Sequence, residues 1–152
     1  MPEFRELYQE IILDHNKRPR NFGRPAHATH EAHGDNPLCG DKVTIYLTVA
    51  DGLVKSACFE GRGCAISTAS ASLMTEMVKG KPLDEVHALF HRFHEMVTGK
   101  KPEGAEAEEL DKLQVLSGVR EYPMRVKCAT LCWHTLEAAL KGASAAVSTE
   151  AD

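Results

Sequence analysis

The sequence predicts an α+β protein, a small antiparallel sheet with helices packed on one of its faces. Residues 42–49 alternate, with Val43, Ile45, Leu47 and Val49 on one side and Thr44, Tyr46 and Thr48 on the other. That is the period of a half-buried strand. Asp51-Gly52 is a hairpin turn signal and leads into a return strand over residues 53–61. The order of patterns is the third observation. Strands come first and helical periods follow, which segregates helices to one side of a sheet.

Element by element, residues 3–15 read as a helix, since Phe4, Leu7, Tyr8, Ile11 and Ile12 recur at helical spacing. Two prolines and a glycine in residues 17–25 break it. Residues 27–34 are ambiguous and suit an edge strand, and NPLCGD (36–41) is a turn-rich loop. GRGC (61–64) ends the return strand and a helix follows to Gly80. Residues 82–99 form the next helix, with a stripe of Leu83, Val86, Phe90, Phe93 and Val97. Residues 100–109 are a polar lead-in and 109–119 a short helix. The chain is irregular around Pro123, and the last helix spans 128–142, with Ala129, Trp133, Leu136 and Leu140 at core spacing. Residues 1–141 are expected to be one domain, and 142–152 a small, polar, flexible tail.

A chain of 152 residues buries roughly 70% of the surface its unfolded form exposes, so a core forms without disulfide staples. Apolar residues at 43% and charged ones at 26% fit a folded globular protein. The net charge of -4 speaks against a nucleic-acid binder, which carries a basic patch or stripe. No apolar run reaches the length of a membrane span. The N-terminus is acidic and amphipathic, unlike a signal peptide, and the expected location is the cytoplasm.

Five cysteines run from Cys39 to Cys132. An odd number without an export signal makes a disulfide framework a poor reading. Cys39 precedes a strand, Cys64 joins a strand to a helix, and Cys128 begins the last expected helix. A helix N-terminus favours a thiolate, and two of the three stand to gain from it. Asp41 lies two residues after Cys39, with Gly40 between, so in an extended loop both side chains point one way. Three sulfurs and one carboxylate suit tetrahedral zinc and also a [2Fe–2S] cluster. The spacing lacks a CxxC knuckle, so buried filler thiols remain an alternative reading. Cys58 reads as a small strand residue. Cys132, one turn after Cys128, reads as core packing, with a second thiol near the site as the alternative.

His87, His91 and His94 fall at i, i+4 and i+7, a spacing able to bind metal. A half-exposed helix face is the plainer reading, because no cysteine or carboxylate joins them at ligand spacing. His27, His30 and His33 are read the same way. Lys17, Arg18, Arg20 and Arg24 read as a solvated loop, with an acidic partner as the alternative. Lys127 and Arg125 bracket the expected site. They would offset the charge of about -2 that three thiolates and a carboxylate leave on a divalent ion.

NPLCGD, GRGCAISTASASLMTEMVKGK and RVKCATLCW resemble the U-type iron–sulfur cluster assembly proteins, IscU and SufU. The resemblance runs from the first helix to about Leu140. It implies a site of Cys39, Asp41, Cys64 and Cys128 and an α+β sandwich. IscU proteins carry a histidine before the last cysteine and an LPPVK segment. Here Lys127 and YPMRV stand there, and the separation of Cys64 from Cys128 is longer, as in SufU. A SufU-like protein is implied to be a zinc-bound acceptor of persulfide sulfur from a cysteine desulfurase, whose histidine displaces a zinc ligand and frees Cys39. The acceptor would be consumed and regenerated, so it is a sulfurtransferase at most and not an enzyme in the strict sense. Downstream iron–sulfur carrier or scaffold proteins would receive its cargo. The IscU-like alternative is a scaffold holding a [2Fe–2S] cluster on the same four residues, with Cys128 as sulfur acceptor. A structural zinc domain is the third reading.

Overall fold

The computed structural model describes residues 2–37, 40–98, 122–141 and 147–148. Its elements are α1 (Pro2–Lys17), β1 (His30–Asn36), β2 (Asp41–Ala50), β3 (Leu53–Arg62), α2 (Ala65–Val78), α3 (Leu83–Val97), α4 (Pro123–Leu140) and β4 (Val147–Ser148). The expected lead-in and short helix over 100–119 lie outside the described residues.

The sheet order is β3-β2-β1-β4. The first three strands are antiparallel, and β4 runs parallel to β1 at Gly34 and Asp35. The β2–β3 hairpin turns at Asp51 and Gly52, both with positive φ, as the Asp-Gly pair requires. Ala32, Val43, Ile45, Leu47, Ala57 and Phe59 point into one core with residues of α2, α3 and α4. Helices therefore cover a single face, as the alternation of β2 predicts.

α2 lies between α1, β3 and α4, and Ser67, Ala69, Ser70, Ala71 and Ser72 are all buried. Small side chains let the neighbouring backbone come close, and Ser70 Oγ donates to the carbonyl of Ala129 on α4 at 2.5 Å. α1 is tied to α2 by the buried His15, whose Nδ1 lies 2.7 Å from Ser72 Oγ. The Arg20 N–H also donates to that hydroxyl at 2.8 Å. Each contact gives a buried polar atom the partner it needs.

The last helix differs from expectation. It begins at Pro123, not at residue 128. Proline interrupts a helix from within but suits its first turn, where no N–H partner exists and φ is preset. Cys128 is thus inside α4 rather than at its N-terminus. Within the stretch expected as tail, Val147–Ser148 pairs with β1.

Candidate metal centre

The β1–β2 connection, the β3–α2 junction and α4 meet at one end of the sheet. Asn36 closes β1 and faces Asp41, which opens β2. Gly40, with φ 74°, returns its N–H to the Asn36 carbonyl at 2.8 Å, a conformation that favours glycine. Cys39 itself lies outside the described residues.

Asp41, Cys64 and Cys128 each offer a donor atom, and these atoms lie within 4.8 Å of one another. Among the described residues this is the one group of three or more His, Cys, Asp or Glu side chains so placed. Asp41 is 1% exposed. Its Oδ1 accepts the Cys64 N–H at 2.9 Å, and the Cys64 thiol reaches Oδ2 at 3.6 Å. Cys64 is the N-cap of α2 and its sulfur accepts the Ser67 N–H at 3.4 Å. A sulfur here thus receives one of the helix-terminal N–H donors that the helix itself leaves without a partner. Cys128 is buried, and the fully buried Asn36 amide donates to its sulfur at 4.0 Å.

A cradle for the carboxylate is built from glycine. A Cβ on Gly63 would lie 2.5 Å from Asp41 Oδ1, inside any tolerable contact. The chain thus leaves Gly63 bare where the carboxylate sits.

Electrostatics fit a cation. Burial pushes the Cys128 thiol well above the ordinary thiol range, and its hydrogen bonds to Asp41 and Cys64 push it further. Without a positive charge, a second or third anion in this space is disfavoured. A divalent ion offsets the negative charge that such donors bring together. The donor set also has the right size. Tetrahedral zinc sets a sulfur and a carboxylate oxygen about 3.6 Å apart, the separation found for Cys64 and Asp41. Asp41, Cys64 and Cys128 could therefore hold zinc.

The other cysteines take different places. Cys58 is half-buried on β3 opposite Tyr46. Cys132 is 1% exposed, in the core against Ser70. Arg125 lies over the Tyr122 ring at 4.6 Å, and Lys127 is half-buried next to Cys128. Arg20 pairs with Asp14 at 2.6 Å, and Arg24 lies 6.0 Å from the Tyr46 ring centroid. His33 bonds Thr44 and Glu31 along the sheet. The α3 histidines gain partners that sequence reading missed. His134 stands 6.1 Å from His94, ring to ring, and Glu137 bonds His87 at 2.8 Å. Asn36 was also missed, since no local pattern signals a contact with a residue 92 positions away. Among the described residues no helix is long and apolar enough to cross a membrane.

Residues 7–129 match the family described as the NifU-like N terminal domain. The iron–sulfur cluster assembly scaffold protein IscU of Thermotoga maritima is 42% identical over 91% of this chain and 95% of its own length. The zinc-dependent sulfurtransferase SufU of Bacillus subtilis is 39% identical over 86% of this chain and 87% of its own. A crystal structure of a protein described as an iron–sulfur cluster assembly scaffold for the SUF system, from Fervidobacterium islandicum AW-1, superposes with a TM-score of 0.80. It is 37% identical and covers 86% of this chain and 94% of its own. With its α+β architecture, its clustered thiols and carboxylate, and relatives aligned along most of its length, the chain belongs to the NifU-like N-terminal domain family, that of IscU and SufU.

Proposed function

We propose that this protein serves iron–sulfur cluster assembly by accepting persulfide sulfur from a cysteine desulfurase on a zinc-thiolate site of Cys39, Asp41, Cys64 and Cys128. The observation that carries the reading is the convergence of Asp41, Cys64 and Cys128 around a buried carboxylate. Cys39, two residues before Asp41, supplies the fourth donor and the nucleophile.

Zinc, when bound, would hold the thiols deprotonated and shield them from oxidation. The chain's own groups do the rest. Asp41 is fixed by the Cys64 N–H and lodged against Gly63, so its carboxylate does not wander. Cys64 stays anchored through the Ser67 N–H. Cys128 is held from behind by Asn36. Cys39 belongs to the loop between β1 and β2, and in this reading its thiolate attacks the outer sulfur of the desulfurase persulfide. A new S–S bond forms on Cys39, the donor's S–S bond breaks, and the donor cysteine leaves as thiolate.

A scaffold reading uses the same residues for a [2Fe–2S] cluster, with Cys128 as sulfur acceptor. It is favoured by the hard carboxylate of Asp41 in a soft donor set, which suits release of a cluster, and by the relative named as a scaffold. Elemental analysis and an absorption spectrum of untagged, anaerobically purified protein separate the two. About one zinc per chain without colour, together with activation of a desulfurase that Cys39→Ser abolishes, is the expected result. Iron with matching sulfide and visible thiolate-to-iron absorption would replace the zinc reading with the scaffold.

A further inference from the structure

The histidine ridge of α3 acquires its companions from α4. His134 brings its ring centroid to 6.1 Å from that of His94, with the planes at 76°. Phe90 forms a floor beneath both, edge-on to His94 at 6.0 Å and to His134 at 5.2 Å, and stacked on the buried Trp133 at 5.7 Å. His91 lies three residues before His94 on the same helix, hence beside it on the surface. Its side chain is 78% exposed and paired with Glu95 at 2.9 Å. With His87, exposed on α3 and bonded to Glu137 of α4, four of the protein's eight histidines lie along these two helices. A solvated helix face ordinarily carries lysine and glutamate, not a concentration of imidazoles.

We propose that His94 and His134, joined by His91, form a second divalent-metal site, selective for ions that prefer imidazole, such as zinc, nickel and copper(II). Zinc–nitrogen bonds of about 2.0–2.1 Å place the centroids of two imidazoles on one ion about 5–6 Å apart. At 6.1 Å, His94 and His134 stand just beyond that spacing, and rotation of the exposed His94 ring would bring both nitrogens toward one point. The aromatic floor limits how far either ring turns. His91, one turn before His94, is the candidate third donor, and the ion pair it would give up to Glu95 is exposed and worth little. Glu137 meanwhile holds His87 at 2.8 Å and adds negative charge at the edge of the site. His134 stands six residues after Cys128 on α4, roughly 9 Å along the axis and on another side of the helix. The site is therefore separate from the thiolate centre and does not depend on it.

Calorimetric titration of the full chain with zinc chloride tests this. Two classes of site are expected, the weaker in the micromolar range. His94→Ala and His134→Ala should each weaken the weaker class by about tenfold or more. Cys128→Ser should remove the tighter class and leave the weaker, and His27→Ala should change neither. Absence of the weaker class in the unaltered protein would overturn the proposal. So would its survival in both histidine variants, or an equal loss in His27→Ala. His94 is exposed, so its variant keeps the test decisive should His134→Ala fail to fold.

Discussion

Gly63 and Asp41 occupy one small volume: a Cβ on Gly63 would lie 2.5 Å from Oδ1 of the carboxylate and 2.8 Å from its Cγ. The carboxylate is buried and accepts the Cys64 N–H, so it has little room to retreat. Gly63→Ala should displace Asp41 from the thiols while leaving the sheet intact. Zinc affinity, measured by competition with a chromophoric chelator, should fall by about tenfold or more. Unchanged affinity would show that Asp41 is not a ligand.

Cysteine substitutions divide by position. Cys39→Ser, Cys64→Ser and Cys128→Ser should each abolish activation of a matched desulfurase, whereas Cys58→Ser, on the outer side of β3, should not. Sulfide release from free cysteine is the measurement. Activation that persists in any of the first three removes that residue from the site.

Gly34 of β1 sits under α4, where a Cβ would lie 2.1 Å from Thr135 Oγ1 and 3.1 Å from Leu131 Cδ1. Gly34→Ala has to push helix and strand apart, at about 1–3 kcal/mol for overpacking. Because α4 carries Cys128, the same change should weaken zinc binding. A thermal melt with a parallel metal titration checks both, and a loss of stability without loss of affinity would uncouple the packing from the site.

Alkaline stability should depend on Cys132. Burial pushes its thiol up to about 12, whereas a thiol of the unfolded chain ionises near about pH 8.5. The folded state keeps a proton that the unfolded state gives up. This stabilisation is fully present below about pH 8.5 and is lost as pH rises toward the folded value, at about 1.4 kcal/mol per pH unit for one thiol. Cys128, raised chiefly by burial, acts in the same direction in metal-free protein. Tyr46, pushed up to about 12 by burial and then by Glu60, joins above its ordinary value near about pH 10. Melting temperature of chelator-treated protein should therefore fall between about pH 8.5 and 10, and less steeply in Cys132→Ala. Equal slopes for the two proteins would contradict this account.

Much of this was legible in the sequence because it is local. The alternation of Val43, Ile45 and Leu47 sets the buried face of β2, and Asp51-Gly52 sets its turn. Cys64 sits where a strand ends at glycines, so its role as a helix cap follows from spacing. The start of α4 was misplaced because Pro123 reads equally as a breaker or as a first-turn residue, and tertiary contacts decide which. Asn36 behind Cys128, Ser72 against His15, and the pairing of His94 with His134 are long-range, and no periodicity encodes them. The convergence of Asp41, Cys64 and Cys128 was anticipated through family resemblance more than through spacing.

Both margins of the three-stranded antiparallel sheet meet short neighbours. Along β3, Phe59 exchanges hydrogen bonds with Asn21 and Gly23, and Val54 does so with Gly80 and Lys81. Along β1, Val147–Ser148 pairs with Gly34 and Asp35. An uncovered sheet margin is a template on which another chain's strand can grow, and proteins blunt such margins to stay unaggregated. These pairings interrupt the template on either side. Strand-by-strand zippering of another chain onto these margins is thereby disfavoured, and the sheet keeps its strands to itself.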